Sequence, residues 1–377
     1  MITVREIRGR RQLKRFVSFA IALYKGSDCY VPPIISDEVN NLDARCNPAL
    51  RFCDSVFFMA YNESGKPVGR IAGFINPRYN QKADHQLCRF GYVDFIDDPQ
   101  VSKALLDAVA EWGRSHGMDS LAGPLGMTDL DYEGALTEGF DQLSTMSTIY
   151  NYPYYIDHFL AYGLEVDARW NEYVIPVPEH IADKHRKVAE FVRMRYGLRS
   201  FSETSRKRLR EKWGRKIFYL LNETYSPLYC VSELDDSQID YYISLYLPML
   251  RLDCIRLVTD HDENLIGFAI TCPSMSRAQQ KAKGHLFPMG WYHMLKAMYK
   301  RGGTDIWDLM LIGVRPDFQG KGVASLIFTD LIEVGQRNGY RYVSAYPQLV
   351  ENTKVQELWK YFDYEINRRR ATFKCRI

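Results

Sequence analysis

Two stretches of this chain end a helix in the same way and then continue in the same way. An amphipathic pattern over residues 101–115, with Val101, Leu105, Val109 and Trp112 on one face, stops at His116-Gly117. A second, starting at about Gly322 with Val323, Leu326, Ile327, Leu331 and Val334 on one face, stops at Asn338-Gly339. A glycine just past the last turn caps a helix because it takes up positive φ without a Cβ clash. After each stop a short β-rich run reaches a proline, Pro124 in one case and Pro347 in the other. A plan used twice in one chain constrains the fold more than any local propensity.

The plan extends outward from these anchors. The later copy reads as a strand over 198–202, helices over 205–221 and 236–250, and β-rich runs over 254–259 and 265–271. A strand over 306–314, the helix from Gly322, a strand over 342–346, a helix over 352–361 and closing β structure over 364–377 follow. The earlier copy gives a strand over 2–7, a helix over 11–24 and a hairpin of 56–61 with 68–75. A strand over 92–96, the helix over 101–115 and a last helix over 154–162 complete it. The expected fold class is α/β (α+β): two tandem domains, each a mixed, mostly antiparallel central sheet flanked by helices. The expected boundaries are 1–178 and 196–377, with 179–195 as a linker or helical junction. The copies differ between Pro124 and the last helix, where the first carries the 28 residues 126–153. Loops of that length are often functional walls or lids.

Charge is uneven. Between Lys184 and Lys216 there are thirteen Lys/Arg against Glu190, Glu203 and Glu211. Such a belt suits phosphates, anionic lipid or nucleic acid, and equally suits a solvated helical surface. No helix-turn-helix or other reading motif accompanies it, so no specific nucleic acid is expected. The eight cysteines form no CxxC pair and the eight histidines show no ligand spacing, so reduced thiols and no metal site are expected. The charged start, MITVREIRGRRQLKRF, does not read as a signal peptide, and no apolar run approaches a membrane span. A cytoplasmic location is the expectation.

The chemistry concentrates in Val314-Arg315-Pro316-Asp317-Phe318-Gln319-Gly320-Lys321-Gly322-Val323-Ala324. A strand enters a turn with two glycines and then an amphipathic helix, whose first N–H groups and dipole make a pyrophosphate site. The spacing Gln319-x-x-Gly322-x-Ala324 resembles motif A of the GNAT superfamily of N-acyltransferases. The resemblance covers the whole second copy. It implies that Gln319, Gly320, Lys321, Gly322, Val323, Ala324 and Ser325 hold the pyrophosphate of acetyl-CoA or a longer acyl-CoA. It also implies that Ile312 to Val314 pair with pantetheine. Asn352 falls where the family often has an asparagine on pantetheine; a plain N-cap is compatible with that role. The equivalent turn of the first copy, Phe95-Ile96-Asp97-Asp98-Pro99-Gln100, has no glycine and two carboxylates, and reads as a degenerate domain without the acyl-CoA motif.

Asp308 is the candidate base. It lies eleven residues before Gln319, as a carboxylate does in the histone-acetyltransferase branch, and its apolar neighbours would raise its pKa. A polar residue at a strand start is the alternative. The family's usual proton-donating tyrosine falls at Trp359, which cannot act as that acid. Tyr361 and Tyr346 are the remaining candidates.

Residues 285–299, rich in Met and aromatics, suit either an adaptable pocket or core packing. Together with the tandem plan, this segment resembles a group of bacterial GNAT-like proteins, and the resemblance implies amine acceptors extending to long-chain, sphingoid-like bases. The expected activity is acyl-CoA-dependent N-acyl transfer to a small-molecule or lipid amine by direct attack in a ternary complex. A lipid-amine enzyme in peripheral contact with anionic membrane, and a non-catalytic CoA-binding regulatory module, are the alternatives. The sequence leaves the oligomeric state open.

Overall fold

The computed structural model describes residues 1–356, 359 and 362–377, without the side chains of Pro248 and Lys354. Its strands are β1 (Thr3–Glu6), β2 (Asp54–Tyr61), β3 (Pro67–Ile75), β4 (Leu87–Phe95), β5 (Ser120–Gly123), β6 (Ala135–Glu138), β7 (Glu165–Pro176), β8 (Arg199–Phe201), β9 (Ile255–Thr259), β10 (Leu265–Pro273), β11 (Ile306–Val314), β12 (Tyr342–Leu349) and β13 (Glu365–Arg376). Among the described residues they form one continuous sheet in the order β1-β2-β3-β4-β5-β13-β7-β12-β11-β10-β9-β8, with β6 paired to β13.

That order is a near-palindrome. Read inward from one edge, β1 to β5 are followed by β13; read from the other, β8 to β12 are followed by β7. In each half the fourth and fifth strands are the parallel pair, β4 with β5 and β11 with β12. The two halves therefore share a plan and exchange a strand. β13 runs antiparallel between β5 and β7, and β7 runs antiparallel between β13 and β12.

The anchoring helices form as their patterns require. Pro99–Ser115 buries Val101, Leu105 and Val109, and Val323–Asn338 buries Val323, Leu326, Ile327, Leu331 and Val334. Gly117 and Gly339 sit at φ 78° and 77° past their ends. The second helix and Trp307, which stacks on Tyr340 at 5.4 Å between ring centres, build the core under one face of the later half. The helix Asp183–Arg195 joins the halves and packs on Val323–Asn338.

At the centre β13 carries two arginines into the sheet. Arg368 and Arg370 are almost fully buried, and both meet the fully buried Glu172 of β7. Burial alone would push the Glu172 pKa up, but Arg370 and Arg368 together hold it below the usual carboxylate range. The guanidiniums reach further, Arg368 to the Leu143 carbonyl and Arg370 to those of Gly134 and Ile149. The long segment 126–153 of the first half is thus held by the last strand of the second.

Candidate functional site

The glycine-rich turn is built by its backbone. β11 ends at Val314, Pro316–Phe318 makes a short 3-10 turn, and Gly320 and Gly322 sit at φ 73° and 83° before the helix Val323–Asn338. The first helical hydrogen bond runs from Leu326 N–H to Gly322 O at 3.2 Å, so the amides before it have no partner inside the helix. Gln319 Nε2 donates to Val314 O at 3.1 Å and fixes the strand end. Gly320 has open space where a side chain would grow, whereas a Cβ on Gly322 would lie 2.8 Å from Val192. The Lys321 ammonium lies over the Phe318 and Tyr196 rings, at 5.1 and 5.8 Å from their centres.

β11 and β12 pair only from Ile306 to Leu309. Beyond that point they separate, and the register with β10 passes from Leu309 to Leu311, leaving Met310 as an extra, bulged residue. The freed edge of β11, Met310 to Val314, lines a cavity of about 1880 Å³. Gln319, Gly320, Gly322, Val323, Ala324, Ser325, Tyr346 and Asn352 line the same cavity. The sequence candidates Ile312, Val314 and these eight are therefore brought together. Lys321 and Asp308 are not on the lining, and Tyr361 lies outside the described residues.

Asp308 lies just behind the wall. It is fully buried, its Oδ2 accepts from the Tyr346 hydroxyl at 3.4 Å, and its Oδ1 has no hydrogen-bond partner. Burial pushes its pKa up to about 7, against smaller opposing effects of Ser274, Arg368 and Tyr346. Burial, reinforced by Asp308, pushes the Tyr346 phenol well above its ordinary value, so it stays protonated. Trp359 is a core residue, 3% exposed, with its indole N–H donated to Gln348 Oε1 at 2.7 Å. Cys272 faces the cavity next to this pair in register, and burial together with Asp308 keeps it a neutral thiol.

The opposite wall comes from the first half. Glu38, Asp129, Asp131, Tyr132 and Glu133 all line the cavity. Burial, then Asp131, pushes Asp129 up to about 6, and burial, then Asp129, pushes Glu133 well above the carboxylate range. Asp131 is held by Thr128 N–H at 2.8 Å, and Tyr132 donates to Glu38 at 3.2 Å. Tyr225, beside Asp129, donates to Ile312 O at 3.2 Å, which ties this wall to the open edge of β11. Within the segment 126–153, Tyr132 and Glu133 face the cavity as a binding wall requires. Tyr150 and Tyr152 instead pack on Tyr24 at 5.4 and 5.1 Å, Phe140 joins that apolar cluster, and Glu138 pairs with Arg369. Asp129, Asp131 and Glu38 were missed from sequence; three carboxylates in Asp129-Leu130-Asp131-Tyr132-Glu133 were the available signal.

The first half closes the corresponding places. Leu125 N–H donates to Phe90 O at 2.7 Å, filling the gap beside β4, and a Cβ on Gly91 would lie 2.3 Å from Leu125 O. Asp98 accepts the Gln100 N–H at 2.8 Å, so a carboxylate already caps the helix that follows.

Residues 215–364 match the family model described as acetyltransferase (GNAT) family. Over those residues the chain carries a GNAT-family domain. Across the whole chain the fold is that of tandem GNAT proteins. A tandem GNAT protein from the clavulanic acid biosynthesis pathway superposes on 100% of this chain and 98% of its own, with TM-score 0.55 and 12% identity. Among curated sequences, Protein YghO of Escherichia coli (strain K12) is 26% identical over 88% of this chain and 83% of its own length. The bacterial ceramide synthase of Caulobacter vibrioides (strain NA1000 / CB15N) is 24% identical over 84% of this chain and 82% of its own.

Proposed function

We propose that the protein is an acyl-CoA-dependent N-acyltransferase whose acceptor is an amine. The observation that carries this reading is the single cavity that joins the glycine-rich turn, the free edge of β11, Tyr346 and a wall of carboxylates. The amides of the turn and helix start receive the CoA pyrophosphate, and the unpaired edge from Met310 to Val314 receives pantetheine. The carboxylates of the first half draw in the ammonium. The amine nitrogen attacks the thioester carbonyl carbon, an N–C bond forms, and the C–S bond breaks with the electron pair leaving on sulfur. Tyr346 takes up the proton lost by the amine as it passes its own to ionised Asp308, then delivers a proton to the thiolate and recovers one from Asp308. The ammonium gives up one proton to solvent before it attacks, so the products are an amide, free CoA and that proton. Cys272, as a neutral buried thiol, is a poor nucleophile, which supports direct transfer. The test is two-substrate kinetics with acetyl-CoA and longer acyl-CoAs: intersecting lines are expected, and parallel lines or a trapped acyl-enzyme overturn the direct route.

A second reading, a lipid-amine N-acyltransferase, is favoured by the lining. Met146, Met249, Met275, Met294, Met298 and Met310 all face the cavity, whose volume exceeds the ~300–1,000 Å³ of an ordinary ligand pocket. The relative named as a ceramide synthase points the same way. Activity that rises with acyl or amine chain length supports it, and a strict preference for acetyl-CoA and short amines removes it. Binding of CoA without turnover of any acyl-CoA would leave the regulatory-module reading instead. Among the described residues no helix is long and apolar enough to cross a membrane.

A further inference from the structure

From Asn264 to Thr304 the chain has no Asp or Glu, yet it holds Arg277, Lys281, Lys283, Lys296, Lys300 and Arg301. The structure places a row of large apolar side chains on the surface in the same stretch. Phe287 is 78% exposed, and Met289, Trp291, Tyr292, Leu295 and Tyr299 are exposed too. The helix Gly290–Tyr299 buries only Gly290, Ala297 and Met298. Trp291, Leu295 and Tyr299, four apart, form one outward stripe, and Tyr292, Lys296 and Lys300 form the stripe beside it. The apolar stripe does not end on the surface. Leu295 and Tyr299, with Leu286 and Met249, also line the large cavity, so this face is the rim of its mouth.

We propose that this face docks on an anionic lipid bilayer, with residues 285–299 in the interfacial layer and the cavity mouth turned toward the lipid. Trp and Tyr favour the membrane–water boundary, and Met, Leu and Phe favour the acyl chains just beneath it. Lysines beside such a stripe keep their stems on apolar surface while the ammonium reaches the phosphates. The cations are available for that contact. Lys281, Lys283, Lys296, Lys300 and Arg301 make no ion pair among the described residues. In the basic belt 184–216, by contrast, Arg193, Arg208, Lys212 and Arg215 are paired with Asp330, Glu203, Glu263 and Asp236 or Asp240. Lys296 and Lys300 thus stand unpaired beside the apolar stripe, whereas these four cations of the belt are already engaged by carboxylates.

This inference extends the lipid-amine reading, but its readout needs no acyl-CoA and no turnover. The full chain is floated with phosphatidylcholine vesicles, with and without phosphatidylglycerol, at low and high salt. The expected result is salt-sensitive co-flotation that requires phosphatidylglycerol. Phe287→Ser with Trp291→Ser should abolish it, and Lys296→Ala with Lys300→Ala should weaken it by roughly fivefold per cation. All four side chains are exposed and off the cavity lining, so the melting temperature and CoA affinity should stay at parental values. Absence of flotation at either composition overturns the proposal, as does flotation that the two substitution pairs leave unchanged. A parent that sediments as a dimer which Phe287→Ser and Trp291→Ser dissociate, without binding vesicles, also overturns it and assigns the face to a second copy.

Discussion

Tyr346 stands between the cavity and Asp308, its hydroxyl 3.4 Å from the carboxylate Oδ2. A buried acid with a pKa of about 7 and a phenol held protonated make a pair that can pass one proton in either direction near neutral pH. In the proposed reaction Asp308 works through Tyr346 and does not touch the amine. Tyr346→Phe and Asp308→Asn should each lower kcat by about 10²–10⁴-fold, the usual scale for general acid–base groups. The parent rate should rise with pH through about 7 as Asp308 ionises, and Asp308→Asn should lose that rise. A pH–rate profile for Asp308→Asn that overlays the parent removes the pair from the mechanism.

The same shift has a consequence for stability. The Asp308 pKa is raised from 3.8 unfolded to about 7 folded, so between these values the folded state holds a proton that the unfolded state has lost. Stability therefore falls as pH rises through this window, by up to about 4 kcal/mol once Asp308 is fully ionised. Asp308→Asn cannot ionise. Melting curves should show the variant close to the parent near the acid end and above it at about pH 8. Equal melting temperatures across that range would mean that Asp308 is not buried as a carboxylic acid.

CoA binding is best tested at Gly320. An aspartate at Gly322 would collide with Val192 and confuse folding with affinity, whereas Gly320 faces open space and Asp tolerates its φ of 73° better than most residues. Gly320→Asp should weaken CoA by roughly 10- to 100-fold, the scale of a lost charge-assisted hydrogen bond. Calorimetry with CoA decides it, with thermal melting as the fold control. Unchanged affinity would reduce the motif to a turn.

The repeat, the glycine caps and the motif were legible because each is local. Gly339 follows a helix whose apolar face can be read at a spacing of three and four, and Gln319, Gly320 and Gly322 are contiguous. The placement of 364–377 was not legible as a crossing. A β-rich run with Arg368 and Arg370 looks like a surface strand until Glu172, almost two hundred residues earlier, is seen opposite. Glu38 escaped for the same reason: its partners Tyr132 and Tyr92 come from distant segments. The aromatics of 285–299 could be read as pocket or core, and the structure divides them: Met294 and Met298 line the cavity, while Trp291 and Tyr292 face outward.

The exchanged strand predicts that the halves do not stand alone. Residues 196–377 expressed without the first half would leave β13 without β5, β6 and β7, and β12 without β7. Insoluble or molten material is expected. In the full chain, Glu172→Gln leaves two buried guanidiniums uncompensated and should cost about 3–5 kcal/mol. Urea unfolding measures it, and a loss under about 1 kcal/mol would mean that the arginines find other partners.

In the proposed reaction the carboxylate wall gives the first half a part that its lack of a glycine turn denies it elsewhere. Asp129 and Glu133 face the cavity with no ion-pair partner among the described residues; burial raises both pKa values, and repulsion by Asp131 on Asp129 and by Asp129 on Glu133 adds to it. An incoming ammonium would relieve that repulsion, so acceptor binding and ionisation of the pair should help each other. Asp129→Asn and Glu133→Gln keep the shapes and remove the charges. Each should raise KM for the amine by roughly tenfold, the scale of one charge-assisted contact. CoA affinity should not change, because Gly320 to Ser325 lie on the other wall. The parent KM should fall as pH rises through about 6, where Asp129 ionises, and Asp129→Asn should flatten that dependence. The double variant should lose less than the sum, since the two carboxylates share one ligand. If both variants keep the parent KM across the pH range, the amine binds elsewhere and the wall serves only to hold the segment 126–153 in place.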